Sequence, residues 1–367
     1  MLLFGTFKAK TIMFREMLRY ILSFLVPMLV FLDLRFSILG NWLGPLVAFC
    51  VIPFLEQALP RSISNVAETM KGQIAFDVIL FLNLPVVFGI LGLGLEKWLN
   101  FNGNWVAGLG ILVSTGLVLG VNGINVAHEL GHRSNAVSKF AAWALLWPSF
   151  YIHFFIEHNW GHHRYVSTDR DPATARLNET VYAFWFRSMW GSWLSAWALE
   201  RGNLARKNRR FVSKYNRMVW FSLAYVVYAA ILVWYGSTPA LLFGISTGFL
   251  GILLLETVNY IEHYGLKRRL LPSGHYETVK PWHSWNSDHR LGRAVLYDLT
   301  RHSDHHFKAS KPYQLLQHRP EAPALPLGYP GSMMLSLIPP IWFKIMNPRI
   351  EELNRGLDSK FQGIERA

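Results

Sequence analysis

Six stretches of about twenty mainly apolar residues run through this sequence and restrict what it can fold into. A helix needs about 20 such residues to cross the hydrocarbon core of a bilayer. Charged residues make up only 16% of the 367-residue chain, against about 25% in soluble domains. The predicted spans are residues 17–36, 38–59, 74–95, 105–126, 218–235 and 240–260. We therefore expect an all-α, polytopic membrane protein with six transmembrane helices.

Basic residues lie almost entirely on one side of this six-span topology. Of the 36 Lys and Arg residues, only Arg35 and Lys97 fall beside turns on the opposite side. The positive-inside rule therefore predicts that both termini are cytoplasmic. The net charge of +13 then needs no nucleic acid as a partner, since no nucleic-acid recognition motif accompanies it.

No repeat or flexible linker divides the chain, so we expect one membrane-embedded domain, residues 1–367. It would carry a cytoplasmic cap from residues 127–217 and 261–349 and a polar amphipathic tail at 350–367. A further apolar stretch, residues 140–155, contains Pro148 and is short for a span. We expect it to form a re-entrant or interfacial helix.

Histidines are concentrated in four short motifs that follow predicted spans or lie in the predicted cap. The nine are His128, His132, His158, His162, His163, His263, His302, His305 and His306. Spacings of three and four residues put side chains on one helical face. Polar side chains at a membrane boundary are costly and tend to be functional. We therefore predict that the nine rings converge on a metal site at the cytoplasmic boundary.

Nine imidazoles exceed what one ion takes, since zinc binds four ligands and non-heme iron at most about six. The pattern predicts two metal ions, although imidazole suits zinc, copper, nickel and iron alike. The acidic neighbours of the motifs are candidates to accept hydrogen bonds from ligand rings, with surface ion pairs as the alternative. They are Glu129, Glu157, Glu262 and Asp304. The single cysteine, Cys50, excludes four-thiolate sites and iron–sulfur clusters.

Other interpretations of the histidines remain open. The string His128-Glu-Leu-Gly-His132 matches a zinc-protease signature with Glu129 as base, but that site leaves at least six clustered histidines without a role. A metal-ion or proton transporter would need polar residues through the span centres, which are mostly apolar here. Taken singly, the remaining five are interpreted as hydrogen-bonded core residues: His153, His275, His283, His289 and His318.

Longer strings surround these residues. They are His-Glu-Leu-Gly-His-Arg at 128–133, His-Phe-Phe-Ile-Glu-His-Asn at 153–159, Gly-His-His-Arg at 161–164, Asp-Pro-Ala-Thr at 171–174, Asn-Tyr-Ile-Glu-His-Tyr-Gly at 259–265, His-Ser-Trp-Asn at 283–286 and Arg-His-Ser-Asp-His-His at 301–306. Together these strings resemble the integral-membrane alkane 1-monooxygenase family, within the histidine-rich membrane di-iron hydroxylases and desaturases. Trp160 and Trp282 depart from this pattern, where a polar or basic residue is expected.

The resemblance implies two iron ions held by the nine histidines, with His283 nearby and O2 as co-substrate. The implied reaction is terminal hydroxylation of linear alkanes to 1-alkanols in a bacterial inner membrane. Fatty-acyl desaturation or hydroxylation and hydroxylation of an aromatic methyl group are alternatives on the same scaffold. Some family members carry a fused rubredoxin domain, which one cysteine does not allow here.

An alkane offers no hydrogen-bonding group, so its selection would rest on shape and on apolar burial, about 0.8 kcal/mol per CH2. We expect Ala48, Leu119, Ile124 and Leu255 to line a channel from the bilayer to the metals.

Electrons for such a reaction must come from outside the chain. A one-electron carrier such as rubredoxin, with its reductase, is the expected partner. Basic residues between the fourth and fifth spans would attract an acidic carrier, with anionic lipid headgroups as the alternative ligand. They are Arg201, Arg206, Lys207, Arg209 and Arg210.

Overall fold

Helices supply the regular structure of the computed structural model, which describes residues 13–67 and 73–365. No β-strand occurs among these residues, where the only strand-like pairings are two isolated bridges. The all-α prediction is therefore confirmed for the described chain. Lys8, Lys10 and Lys71, on which the predicted orientation partly rests, lie outside the described residues, as do the last two residues of the predicted tail.

The helices are numbered here along the described chain. They are α1 (Met13–Phe36), α2 (Leu43–Ala58), α3 (Gln73–Leu99), α4 (Trp105–Gly131), α5 (Ala136–Leu146), α6 (residues 154–165), α7 (Val181–Arg206), α8 (Arg217–His263), α9 (Arg290–Val295), α10 (His302–Phe307), α11 (Tyr329–Ser336) and α12 (Pro339–Glu365). Within the described residues, α1, α3, α4 and α8 are long and apolar enough to cross a membrane. They contain five of the six predicted spans, because α8 includes two.

Helix α8 is bent at the position where the sequence separates the fifth and sixth predicted spans. Gly236 and Ser237 have non-helical backbone angles, and Ser237 is left-handed with φ 55°. Pro239 follows and has no N–H to continue the helical hydrogen bonds. The two arms of α8 are therefore separate helical segments joined by a short break.

Helix α2 is shorter than the predicted span 38–59. Residues 37–42 form a turn with left-handed Ser37, Gly40 and Asn41. The buried Asp33 carboxylate stabilises this turn by accepting hydrogen bonds of 2.8 Å from the backbone N–H groups of Leu39 and Leu43. The sixteen-residue helix is about 24 Å long at 1.5 Å per residue, less than the hydrocarbon thickness of about 30 Å.

Residues 140–155 do not form one straight helix. Helix α5 ends at Leu146, and Pro148 and the left-handed Phe150 reverse the chain. The turn packs on α8 at Gly248, where a Cβ atom would lie 3.1 Å from the Pro148 carbonyl oxygen. The bend keeps this stretch within the helical bundle.

Helix α4 is the most enclosed of the four long helices, with 72% of its apolar segment buried against 39–44% in the others. Gly116 and Gly120 allow the second arm of α8 to approach closely. A Cβ atom at Gly116 would lie 2.6 Å from the Leu250 Cβ, and one at Gly120 would lie 2.9 Å from Leu254 Cδ1. Because of this contact, α4 and α8 lie side by side up to the ends that carry histidines.

The predicted tail 350–367 is not a separate segment in the described part of the chain. It continues α12, which begins at Pro339. Ile350 is buried and packs against Gly265, just after α8. The apolar face of α12 therefore covers the end of α8 instead of extending into solvent.

Candidate metal centre

The nine predicted ligands assemble into two adjacent groups at the ends of α4 and α8. The first group is His128, His132, His158, His163 and His305, and the second is His162, His263, His302 and His306. Within each group the available nitrogen atoms all lie within 4.8 Å of one another. The other five histidines join neither group among the described residues.

The ring nitrogens converge at distances that suit metal coordination. In the first group, His158 Nε2 lies 3.1 Å from His132 Nε2 and 3.0 Å from His163 Nε2. In the second, His302 Nε2 lies 3.1 Å from His263 Nε2 and 2.8 Å from His306 Nε2. Ligands at right angles around an ion with bonds of about 2.0–2.1 Å would be about 3 Å apart. The donor set therefore fits an ion in each group.

The two groups do not correspond to the sequence motifs, because histidines of the same motif belong to different groups. In α6, His158–His162 form a π-helical turn, which closes hydrogen bonds over five residues instead of four. His158 and His163 are five residues apart and face the first group, whereas His162 faces the second. In α10, the outer two histidines join the second group and the middle one joins the first. Helices α6 and α10 thus each supply histidine rings to both groups.

Burial disfavours the charged form of at least six of these rings, and neutral imidazole is the form that binds metals. Desolvation lowers the pKa of His132 from 6.5 to about 3. Desolvation, and after it the neighbouring imidazoles, lowers the pKa of five further ligand rings well below 6.5. These are His158, His163, His302, His305 and His306.

Asp171 orients one ligand ring and was not among the predicted site residues. Its Oδ2 lies 2.9 Å from His162 Nδ1 and accepts a hydrogen bond of 2.6 Å from the Thr174 hydroxyl. Burial acts to raise the pKa of Asp171, but His162 and Thr174 hold it below its usual value. A carboxylate on Nδ1 leaves Nε2 free to bind a metal. The Asp-Pro-Ala-Thr string at 171–174 was the available sequence signal.

Two of the other candidate neighbours lie next to the second group. Glu262 Oε1 is 3.2 Å from His302 Nδ1 and also accepts a hydrogen bond of 2.7 Å from the Tyr329 hydroxyl. The His283 ring faces away, but its backbone carbonyl oxygen lies 3.4 Å from His263 Nδ1. Glu262 therefore contacts a ligand ring through its side chain and His283 only through its backbone.

The remaining acidic candidates have other partners. Glu129 Oε1 accepts hydrogen bonds from Arg133 and from the backbone N–H of Tyr313. The zinc-protease interpretation needs this carboxylate beside a metal-bound water, and here Arg133 holds it. Asp304 binds Lys311 and Arg319. Among the described residues, Glu157 accepts only a long hydrogen bond of 3.4 Å from Ser195, and burial raises its pKa well above 4.5.

A narrow apolar cavity of about 90 Å³ ends at His128, His158 and His302. Residues from α1, α2, α4, α6, α8, α9 and α11 and from the loop 296–300 form its other walls. Ala48 and Leu255, two of the four predicted channel residues, lie on these walls. The cavity thus joins the helical bundle to both histidine groups.

The other two predicted channel residues, Leu119 and Ile124, do not line this cavity and are completely buried between helices. They bound a π-helical turn in α4, Leu119–Ile124, which changes the helical register. Gly120 and Val121 face the cavity instead. The π-helical turn thus decides which residues of this part of α4 face the cavity.

A second, open cavity of about 980 Å³ lies beside α6 and the end of α7. Its basic residues are Arg164, Arg206, Lys207, Arg209 and Arg217. We call it the basic basin. Arg201 and Arg210 from the predicted basic run do not line it, and the Arg201 guanidinium stacks on Phe211.

Trp160 forms part of the floor of the basic basin. It lies between His158 and His162 in the chain and is 46% exposed. The Arg217 guanidinium stacks over its ring at 4.6 Å and is fixed by a 2.6 Å ion pair with Glu200. A half-exposed aromatic ring therefore connects the basin to the segment that carries three ligand rings.

Comparisons with known proteins agree with this geometry. Residues 103–330 match the family model described as fatty acid desaturase. Alkane 1-monooxygenase 2 of Alcanivorax borkumensis is 34% identical over 93% of this chain and 92% of its own length. Alkane 1-monooxygenase of Acinetobacter baylyi is 36% identical over 84% of this chain and 76% of its own length. The xylene/toluene monooxygenase hydroxylase component of Pseudomonas putida is 29% identical over 85% of this chain and 83% of its own length.

Proposed function

Because the chain belongs to the alkane 1-monooxygenase family, we propose that it uses O2 to hydroxylate the terminal carbon of linear alkanes, giving 1-alkanols. The observation that carries this proposal is the narrow apolar cavity that ends at both histidine groups. A substrate without polar groups can be held there by burial alone. The methyl end of such a chain would point at the metals.

We propose two iron ions as the cofactors, one held by each histidine group. Iron supplies the redox chemistry that activates O2, which zinc cannot. The chain's own residues provide the imidazoles. Asp171 fixes the His162 ring by a hydrogen bond, and the Glu262 carboxylate lies 3.2 Å from His302 Nδ1. The apolar walls exclude water from the bound alkane, which protects the reaction from side reactions with solvent.

We also propose a membrane arrangement, based on the apolar helices. The two arms of α8 would form separate spans on either side of the break at Gly236 and Ser237, and α2 would complete six spans. The positive-inside rule then supports a cytoplasmic metal centre, and we propose a bacterial inner membrane as the location. The whole chain would act as one membrane-embedded domain.

The chain depends on an external electron donor, and we propose an acidic one-electron carrier such as rubredoxin with its reductase. The basic basin supports this because it combines positive charge with Trp160 next to the ligand-bearing segment. Anionic lipid headgroups are the competing ligand for the same charges.

Product analysis tests the function. Purified protein in lipid nanodiscs, loaded with iron and given ¹⁸O2 and a reduced carrier, should convert octane or hexadecane to labelled 1-alkanols. The xylene-hydroxylating relative makes an aromatic methyl group the second candidate substrate, so xylene is assayed in parallel with an acyl lipid. Labelled product from xylene alone, or a desaturated acyl chain, would contradict the alkane assignment. Iron analysis should give two ions per chain.

Cavity shape is tested at Ala48. Ala48→Trp adds a large ring to the cavity wall, so we expect loss of long-chain products while short alkanes are still hydroxylated. The control is Ala230→Trp at an exposed position on the first arm of α8. Unchanged product lengths for Ala48→Trp would remove this residue from the substrate cavity.

A further inference from the structure

Apart from its histidine rings, the apolar cavity has two polar atoms whose hydrogen-bonding capacity is unused in the described chain. Asn125 Nδ2 and Thr300 Oγ1 are both buried and have no hydrogen-bond partner among the described residues. Both residues line the cavity, and Thr300 has no exposed surface. By contrast, two other polar residues on the same wall, Asn259 and Glu262, are paired with Glu256 and Tyr329.

Asn125 and Thr300 are both close in the chain to histidines that line the same cavity. Asn125 precedes His128 by three residues on α4, so both side chains share one helical face. Thr300 precedes His302 by two residues and lies on the segment that leads into α10. Asn125 is therefore close in the chain to a histidine of the first group, and Thr300 is close to a histidine of the second group.

An alkane cannot satisfy either atom. A buried donor without a partner costs free energy, so an alkane in this cavity leaves both groups unpaired. A primary alcohol has the complementary chemistry. Its oxygen accepts a hydrogen bond from the amide of Asn125, and a hydroxyl group both donates to and accepts from the hydroxyl of Thr300.

We propose that Asn125 and Thr300 form a binding subsite for the hydroxyl group of a primary alcohol at the metal end of the cavity. This inference rests on the proposed function, for which the alcohol is the product. The subsite makes the cavity bind a 1-alkanol more tightly than the alkane of the same chain length. Release of the alcohol then depends on breaking these hydrogen bonds, and the alcohol is a product inhibitor.

Direct binding tests the subsite without turnover. Tritiated 1-dodecanol and dodecane are bound to the iron-loaded full chain in nanodiscs, without a reductant, with empty nanodiscs as background. Thr300→Val keeps the shape of the side chain and removes its hydroxyl. We expect the dissociation constant for dodecanol to rise about two- to tenfold, the effect of one neutral hydrogen bond, while that for dodecane is unchanged. Asn125→Leu should act in the same direction, and Thr300→Ser should restore alcohol binding.

The matched control is Thr247→Val, because the Thr247 hydroxyl is equally buried but bonds to the Phe243 carbonyl of its own helix. Equal changes for dodecanol and dodecane in Thr300→Val would overturn the subsite and indicate that the two groups hold only water. Unchanged binding of both ligands would also overturn it. If the product assay fails but alcohol binding still depends on Thr300, the proposed reaction is wrong and the subsite stands.

Discussion

At the scale of single residues, the contact between Asp171 and His162 shows how the protein prepares a ligand. The carboxylate binds Nδ1 of the ring and is itself held by Thr174. The ring cannot rotate without losing this bond, so Nε2 stays directed at the second group. Interactions of this kind commonly change metal affinity by about 10- to 100-fold.

Replacing the Asp171 carboxylate should weaken metal binding by one histidine group and leave the other group unchanged. In Asp171→Asn the shape is kept, but the charge that favours the required tautomer is lost. We expect the affinity of the second group for iron to fall about 10- to 100-fold, measured by competition with a chelator. Asp169→Asn is the control, since Asp169 is exposed and its nearest cation, Lys267, is 3.8 Å away. Equal loss of both ions, or none, would show that Asp171 does not act through His162.

The buried rings also predict the response to acid. The pKa of His132 is about 3 in the folded protein but about 6.5 in the unfolded chain. The unfolded state therefore binds more protons between these values, and stability falls as the pH decreases below about 6.5. For His132 alone the loss at pH 5 is about 2 kcal/mol. Glu157, whose pKa is raised, acts in the opposite direction.

Thermal unfolding of the iron-free protein between pH 8 and pH 5 isolates this effect. The decrease in Tm on acidification should be smaller in His132→Gln, because glutamine stays neutral over the whole range. An identical pH dependence in the two proteins would mean that His132 does not resist protonation in the fold.

At the scale of helices, close packing of α4 on α8 aligns the two long elements that carry ligands at their ends. Gly116 has no room for a side chain against Leu250. Gly116→Val should therefore cost about 1–3 kcal/mol through overpacking and displace the ends of both helices. Lower thermal stability and lower iron content should appear together.

Gly89→Val is the matched control for Gly116→Val. Gly89 also lies inside a long apolar helix, α3, but a Cβ atom there meets nothing within 4 Å. We expect it to keep both stability and iron content. If the two variants lose stability equally, helix propensity rather than packing explains the effect.

Periodicity and motif spacing were sufficient to predict the long helices and the nine converging histidines. They were insufficient wherever the helical register changes. The π-helical turns in α4 and α6 decide which side chains face the cavity and which histidine joins which group. Asp171 was also missed as a site residue, because its contact with His162 depends on the path of the loop between α6 and α7. The turn before α2 depends likewise on a buried carboxylate, Asp33.

At the scale of the whole molecule, the metal centre lies between two environments of opposite character. The apolar cavity reaches it from within the helical bundle, and the basic basin adjoins it beside α6 and α7. Substrate and electrons would therefore approach by separate paths. Neither path would then need the other path to open.

Charge reversal in the basic basin tests the electron path. Lys207→Glu with Arg209→Glu should slow turnover with an acidic carrier at low salt and remove most of its salt dependence, since steering acts over a Debye length of about 10 Å at 0.1 M salt. Alkane binding should be unchanged, because neither residue lines the apolar cavity. Lys344→Glu, exposed on α12, is the control. A salt-insensitive rate in the parent protein would indicate that the basin serves lipid headgroups.

The interleaving of the ligands in α6 restricts how this centre can change. One wide helical turn delivers His158 and His163 to the first histidine group and His162 to the second. Any shift of that turn moves rings of both groups at once. Neither evolution nor a protein engineer can retune one histidine group through this segment while leaving its neighbour untouched.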